Sequence, residues 1–123
     1  MSTSRLLEDA NLSDVVLRNG TTGVEFLFLN MSDGGEIGTL RCNGVVLFTY
    51  CTVPDEGLPH YVGEVNHSVL RRGQAQAFLA GCGRFNPDAV VQYDNEQLHH
   101  VEMAGSMSIT VLCSSVEFQR AGQ

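Results

Sequence analysis

One stretch of the chain alternates between apolar and polar side chains over residues 40–50, and it constrains the fold more than any other feature. The apolar face takes every second residue: Leu40, Cys42, Gly44, Val46, Phe48 and Tyr50. A helix repeats every 3.6 residues and cannot place these side chains on one face, whereas a strand repeats every two. The stretch therefore predicts a strand. Asn43-Gly44 is either a bulge or bend within one long strand or a hairpin turn between two short ones.

Shorter stretches of the same character lie on both sides. Residues 13–18 and 24–31 are typical of strands, and the turn pair Asn19-Gly20 separates them. SDGG, residues 32–35, predicts a second turn, and AVVQY, residues 89–93, a short strand. LHHVEMAGSMSITVLCSSVEF, residues 98–118, predicts a hairpin that turns at residues 104–106 and carries a bulge at Ser114-Ser115.

A single helix is predicted over residues 64–80. Ser68 can cap its start, Gly81 and Gly83 can end it, and the apolar residues recur at roughly helical spacing. Those apolar residues are Val69, Leu70, Ala77 and Phe78. With 123 residues, the chain predicts one domain over 1–123. The expected fold is mainly β, an antiparallel sandwich or open barrel of about six to eight strands with one short helix.

The histidines are the most conspicuous candidates for chemistry. In a strand, His99 shares a face with Val101 and Met103, whereas His100 shares the other face with Glu102, so the two histidines cannot chelate one metal together.

The other candidates give no recognised site. The spacing of His60 and His67 is not one known for metal ligands, and Cys113 falls on the apolar side of its strand. Cys82 follows the C-terminal end of the predicted helix, where the helix dipole opposes formation of a thiolate. We expect no catalytic residue, no metal and no cofactor, which favours a protein that is not an enzyme.

The net charge indicates which class of partner the chain can bind, and the cysteine content indicates its cellular compartment. Fourteen acidic residues against seven basic ones, all arginine, give a net charge of −7. Such a chain is unsuited to bind nucleic acid non-specifically but can attract a basic protein. Four separated cysteines without a CxxC pair, no signal peptide and no apolar run of about 20 residues predict a cytoplasmic protein with free, mostly buried thiols and no membrane contact.

Two stretches resemble a known group of proteins. GEIGTLRCNGVVLFTY leading into LPHYVGEV, and the closing HHVEMAGSMSITVLCSSVEF, resemble strand patterns in small bacterial proteins that are assigned as immunity proteins of polymorphic toxins. The resemblance covers less than half of the chain and brings no catalytic residue. It implies an acidic cytoplasmic protein that binds and blocks a toxin.

The connection TVPDEGLPHY, residues 52–61, is predicted to be a loop on the partner-binding surface. Its two prolines limit its conformations, so docking costs less entropy. Asp55 and Glu56 supply charge for a basic partner, and Leu58, His60 and Tyr61 supply apolar and aromatic anchors. The leading hypothesis is a small acidic binding protein, an immunity-like inhibitor of a partner protein or toxin.

Two other hypotheses stay open from the sequence. One is a small-ligand-binding or catalytic β-barrel with His60, Tyr61, His99 or His100 near its mouth. The other is a homodimer through the apolar strand at residues 24–31, which would pair with a second copy if it lay unprotected at a sheet edge.

Overall fold

The computed structural model describes residues 7–18, 20, 22–53, 57–71, 73–74, 77–78 and 97–122. Within these residues the elements with complete bounds are strands, and Leu7, Gln74, Ala77 and Phe78 are in helical conformation. The strands are β1 (Ala10–Arg18), β2 (Gly23–Asn30), β3 (Glu36–Thr52), β4 (His60–Leu70), β5 (Leu98–Gly105) and β6 (Met107–Arg120). Across the described ranges, no helix has the length and apolar character required to cross a membrane.

All six strands lie in one antiparallel sheet in the order β1-β2-β3-β6-β5-β4. The prediction of a mainly β, antiparallel fold of about six to eight strands is confirmed, but the sheet is closed and is neither a sandwich nor an open barrel. The sheet closes into a barrel where β4 returns to β1, and this closing pairing consists of Ala10↔Val62, Asn11↔Tyr61 and Leu12↔His60. The barrel is thus closed by the first residues of β1 and of β4.

The inner face of the barrel holds the core. Alternate residues point inward between the register shifts, and Phe26 and Phe48 contact edge to face with ring centroids 6.1 Å apart. Val46, predicted to share the apolar face of Leu40 and Cys42, packs instead on the outer face, because the register shifts between Val45 and Leu47. Burial of each large apolar side chain stabilises the fold by roughly 1.5–3 kcal/mol. Core residues of which at most 1% is exposed include Leu7, Ala10, Leu12, Val24, Phe26, Phe28, Cys42, Val62, Val101, Met103, Ile109, Val111 and Cys113.

β3 is a single strand of 17 residues, so Asn43-Gly44 is a bend within it and not a hairpin turn. Gly44 has a φ of +63°, and a Cβ at this position would overlap Ser114 Oγ, which donates a hydrogen bond to the Asn43 carbonyl at 3.0 Å. The predicted bulge at Ser114-Ser115 is wrong, because the register shift lies in β3, between Val45 and Leu47.

The predicted helix over 64–80 is wrong for residues 64–70, which belong to β4 and pair with β5 throughout. Val69 and Leu70 are neighbours on opposite faces of this strand, and not members of one helical face. Gly63 lies at a register shift, which changes the spacing of inward residues and blurs the period of two. Residues 79–83, with Gly81 and Gly83, lie outside the described residues, as does the strand predicted at 89–93.

A second apolar cluster lies on the outer face of β5 and β6. Leu98 and Leu112 are completely buried there, although the outer face of a barrel is normally exposed to water. The residues packed against them are Val46, Leu47, Leu70 and Phe78. The Phe78 side chain therefore covers part of this side of the barrel.

The apolar strand at residues 24–31 corresponds to β2, which pairs with β1 on one side and β3 on the other. It is central in the sheet and presents no free edge. The reason for expecting a homodimer through this strand is therefore removed, because its backbone groups already have partners.

Candidate functional site

The predicted partner-binding connection lies at one end of the barrel, between β3 and β4. Thr52 still belongs to β3, and His60 and Tyr61 already belong to β4, so the loop is shorter than predicted. Leu58 is 42% exposed and Tyr61 38%, whereas His60 is completely buried. Asp55 and Glu56 lie outside the described residues.

His60 points into the barrel because it pairs with Leu12, an inward residue of β1. Its Nε2 forms a short hydrogen bond with the Tyr50 hydroxyl, and the two rings meet edge to face with centroids 5.6 Å apart. Its Nδ1 is buried and has no hydrogen-bond partner among the described residues. A buried nitrogen without a hydrogen-bond partner lowers the free energy of unfolding by roughly 1–3 kcal/mol, so His60 destabilises the fold at this position.

Tyr61, the next residue, points outward and is fixed by three hydrogen bonds. Its hydroxyl donates to Asp9 Oδ1 at 2.5 Å, its amide donates to Ser106 Oγ at 2.9 Å, and its carbonyl accepts from the Ser106 amide at 3.0 Å. The hydrogen bond to Asp9 raises the pKa of Tyr61 above its usual value, with smaller contributions from burial and charge. Tyr61 thus ties together three segments of the barrel end.

Asp9 takes an uncommon backbone conformation in order to make this contact. Its φ is +59°, in the left-handed region that residues with a Cβ usually avoid and that aspartate tolerates better than most. Its amide donates to the Val62 carbonyl at 2.8 Å, which extends the closing pairing by one hydrogen bond. Asp9 therefore both closes the barrel and positions Tyr61.

Several exposed apolar side chains gather at this end. Besides Leu58 and Tyr61, Val53 is 53% exposed and Tyr50 37%. A shallow pocket of about 260 Å³ lies beside them, and its walls are Cys51, Thr52, Val53, Gly105, Ser106, Met107 and Ser108. We call this surface, formed by Tyr50, Val53, Leu58, Tyr61 and the pocket, the β3–β4 end.

The remaining histidines lie elsewhere. His67 Nε2 and His99 Nδ1 are 2.8 Å apart on the inner face of β4 and β5. His100 lies on the outer face under Phe78, and its Nε2 is 2.9 Å from Glu102 Oε1, although the geometry is not that of a hydrogen bond. The predicted separation of His99 and His100 onto opposite faces is confirmed.

The structure does not assemble His60, Tyr61, His99 and His100 into one mouth. His60 points inward at the β3–β4 end and Tyr61 outward, while His99 and His100 lie toward the start of β5, on opposite faces. Nor do the described residues contain a group of three or more His, Cys, Asp or Glu side chains that could hold a metal ion.

The cysteines follow the sequence prediction where they are described. Cys42 and Cys113 are buried in the core, Cys51 is exposed, and all three are free thiols. The interaction with Cys113, together with burial, raises the pKa of the Cys42 thiol well above its ordinary value, so this group stays protonated. Cys82 lies outside the described residues.

Sequence reasoning missed a charged row across the outer face of β1, β2 and β3. Glu25 contacts Arg18 at 3.3 Å and Arg41 at 3.1 Å, in a pocket of about 300 Å³ that Glu117 also lines. Arg41 and Glu117 are distant from Glu25 in the chain, and Arg18 is seven residues away on the neighbouring strand, so the row depends on strand register. Both arginines are paired with a carboxylate, so the row is not a basic patch.

The geometry defines a small antiparallel β-barrel with an apolar, aromatic surface at one end. A protein-family model described as "-like" matches residues 5–120, and the chain belongs to that family. Among solved structures, the chain is similar to an uncharacterized protein from Neisseria gonorrhoeae known from a crystal structure. The identity is 10%, 91% of each chain is covered, and the TM-score is 0.64, so the likeness concerns the fold alone. A search of the curated proteins finds no match.

Proposed function

We propose that the protein is a non-enzymatic binding protein and that its partner, a protein, docks on the β3–β4 end. The observation that carries this proposal is the gathering of exposed apolar and aromatic side chains there, at Tyr50, Val53, Leu58 and Tyr61. Scattered single apolar residues are normal on a surface, but several around one pocket mark an interaction site.

The rigidity of this surface supports the proposal. Tyr61 is held by hydrogen bonds to Asp9 and Ser106, so its ring is already positioned before a partner arrives. A fixed side chain loses less entropy on binding than a mobile one, and tyrosine is among the residues that contribute most to protein interfaces.

Charge favours a basic partner. The chain carries a net charge of −7, and Asp55 and Glu56 lie in the sequence between Val53 and Leu58, two residues of this surface. Negative charge around an apolar centre speeds encounter with a basic protein. An immunity-like inhibitor that blocks a bacterial toxin is the particular form of this function that the sequence resemblance supports.

The test begins with capture of a partner from the native host and continues with the purified pair. Leu58→Ser and Tyr61→Ala should each weaken the measured affinity at least tenfold, which corresponds to about 1.4 kcal/mol. Leu17→Ser is the matched control, because Leu17 is 51% exposed near the end of β1, far along that strand from Asn11, the residue that pairs with Tyr61. Equal affinities for all three variants and the parent protein would reject the docking surface.

The alternative is a small-ligand-binding or catalytic barrel, and one observation favours it. His60 Nδ1 is buried without a partner among the described residues, as a group awaiting a small polar ligand would be. Screening small polar molecules by NMR tests this function. A ligand that shifts the His60 ring signals, and loses affinity in His60→Leu, would support it, while a screen with no such ligand would count against it.

A further inference from the structure

His67 and His99 form a cross-strand pair that neither the fold nor the β3–β4 end explains. His67 lies opposite Val101 and His99 opposite Val69 in the β4–β5 register, so both imidazoles project from the inner face on a diagonal. Their facing nitrogens, His67 Nε2 and His99 Nδ1, are 2.8 Å apart, and the ring planes are inclined by 36°.

The pair is open to solvent on one side. His67 is exposed and His99 half-buried, and in the described part of the chain β4 pairs with β1 only at His60, Tyr61 and Val62. Beyond Val62, no described residue pairs with the edge of β4 on that side, and the side chain of His67 is exposed there. Water or another ligand can approach the two nitrogens from this direction.

The two facing nitrogens form one hydrogen bond with each other, in which one ring donates its N–H and the other accepts with its electron pair. A metal ion that enters between the rings replaces this hydrogen bond, and each neutral imidazole then carries its proton on the ring nitrogen that faces away from the ion. A neutral imidazole with a free pair is the form in which histidine binds metals.

We propose that His67 and His99 bind one divalent transition-metal ion, Zn²⁺ or a neighbour of similar preference such as Ni²⁺ or Cu²⁺, through Nε2 of His67 and Nδ1 of His99. Imidazole nitrogens suit these ions. Metal–nitrogen bonds of about 2.0–2.1 Å around a tetrahedral ion place two nitrogens about 3.3 Å apart, so the rings need to separate by only about half an ångström.

The site supplies two protein ligands, because the described residues offer no group of three. Water or a bound molecule completes the coordination, which is the open arrangement that allows a metal ion to exchange ligands. The ion would also join β4 to β5 directly. This site lies about 23 Å along β4 from His60, so it is separate from the β3–β4 end.

The experiment titrates the full-length protein with Zn²⁺ by calorimetry in a non-chelating buffer, on a Cys51→Ser background that removes the exposed thiol. We expect one ion per chain with a Kd below about 100 µM. His67→Ala and His99→Ala should each weaken binding at least about tenfold, the loss that even the supporting residues of metal sites produce. His100→Ala is the matched control and should bind as the parent does, because His100 lies on the outer face.

His67 is exposed, so His67→Ala leaves the packing intact, and His99→Gln replaces His99→Ala if the latter does not fold. NMR gives a second readout: Zn²⁺ should shift the ring signals of His67 and His99 and leave those of His60 and His100 in place. Binding weaker than about 100 µM, a loss below tenfold in either variant, or an equal loss in His100→Ala would overturn the proposal.

Discussion

The Tyr61 hydroxyl donates a hydrogen bond of 2.5 Å to the carboxylate of Asp9, which joins the start of β4 to the residue that precedes β1. The contact spans 52 positions of the chain. It fixes an exposed aromatic ring of the proposed docking surface at the place where the barrel closes.

This hydrogen bond predicts an alkaline titration. Because the hydroxyl donates to Asp9, removal of the carboxylate in Asp9→Ala should lower the pKa of Tyr61 toward its ordinary value of 10.0. The folded state holds the Tyr61 proton more tightly than the unfolded state, so the associated stability is present at neutral pH and is lost as the pH rises through the folded pKa. NMR titration of the Tyr61 ring measures the change, and Asp14→Ala should leave it unaltered.

At the bend in β3, one added methyl group on Gly44 should strongly lower the free energy of unfolding. Gly44→Ala combines a φ of +63° with an overlap on Ser114, and we expect it to reduce the free energy of unfolding by about 2 kcal/mol or more. Gly34→Ala is the matched control. Gly34 has a φ of +73° but open space around its Cβ position, so only the backbone cost of roughly 1 kcal/mol applies.

Urea unfolding of the two variants measures both costs. Equal losses would contradict the prediction, because they would mean that the neighbouring Ser114 yields without cost.

The hydrogen bond between the buried His60 and the partly exposed Tyr50 predicts that mutations of the two residues have non-additive effects on stability. Tyr50→Phe leaves His60 Nε2 without its hydroxyl partner and should cost about 1–3 kcal/mol of unfolding free energy. The double variant Tyr50→Phe with His60→Leu removes both polar groups and should be less destabilised than Tyr50→Phe alone. A double-mutant cycle measured by thermal or urea unfolding tests this, and strict additivity would contradict it.

The His67–His99 pair predicts a loss of stability in weak acid. Because the pKa of His67 is lowered in the folded state, the unfolded chain binds the proton more readily. This stability is complete above about pH 6.5 and falls as the pH decreases toward the folded pKa. The free energy of unfolding, measured between about pH 7.5 and pH 5, should decline less in His67→Ala than in the parent protein. A parallel decline in both would refute this origin.

The alternation of apolar residues was sufficient to predict most of the strands and the hairpin of β5 and β6. It was not sufficient for β4, because the register shifts at Gly63, and because Val69 and Leu70 lie on opposite faces, with Val69 exposed and Leu70 packed in the outer cluster. A single sequence does not distinguish two adjacent apolar residues of such a strand from the face of a helix.

The site was predictable only in part. The connection after β3 was predicted as a partner-binding loop, and its residues Leu58 and Tyr61 are exposed. The prediction that His60 is an exposed anchor in this loop is wrong, because His60 is buried. The residue at which β4 begins depends on the pairing of β4 with β1, which the local sequence does not show. The contacts of Tyr61 with Asp9 and of His67 with His99 depend on the register of strands that are distant in the chain, and local patterns contain no information on that register.

The closing pairing has a consequence for how binding and folding are coupled. Three residue pairs hold β1 to β4, against thirteen between β3 and β6, so the barrel should open first along that line. Tyr61 belongs both to this closing pairing and to the proposed docking surface. A partner that binds Tyr61 would therefore stabilise the pairing of β1 with β4. Local opening of the barrel and release of the partner would then be thermodynamically linked. The linkage would be visible as slower hydrogen exchange at the Ala10 and Val62 amides in the complex.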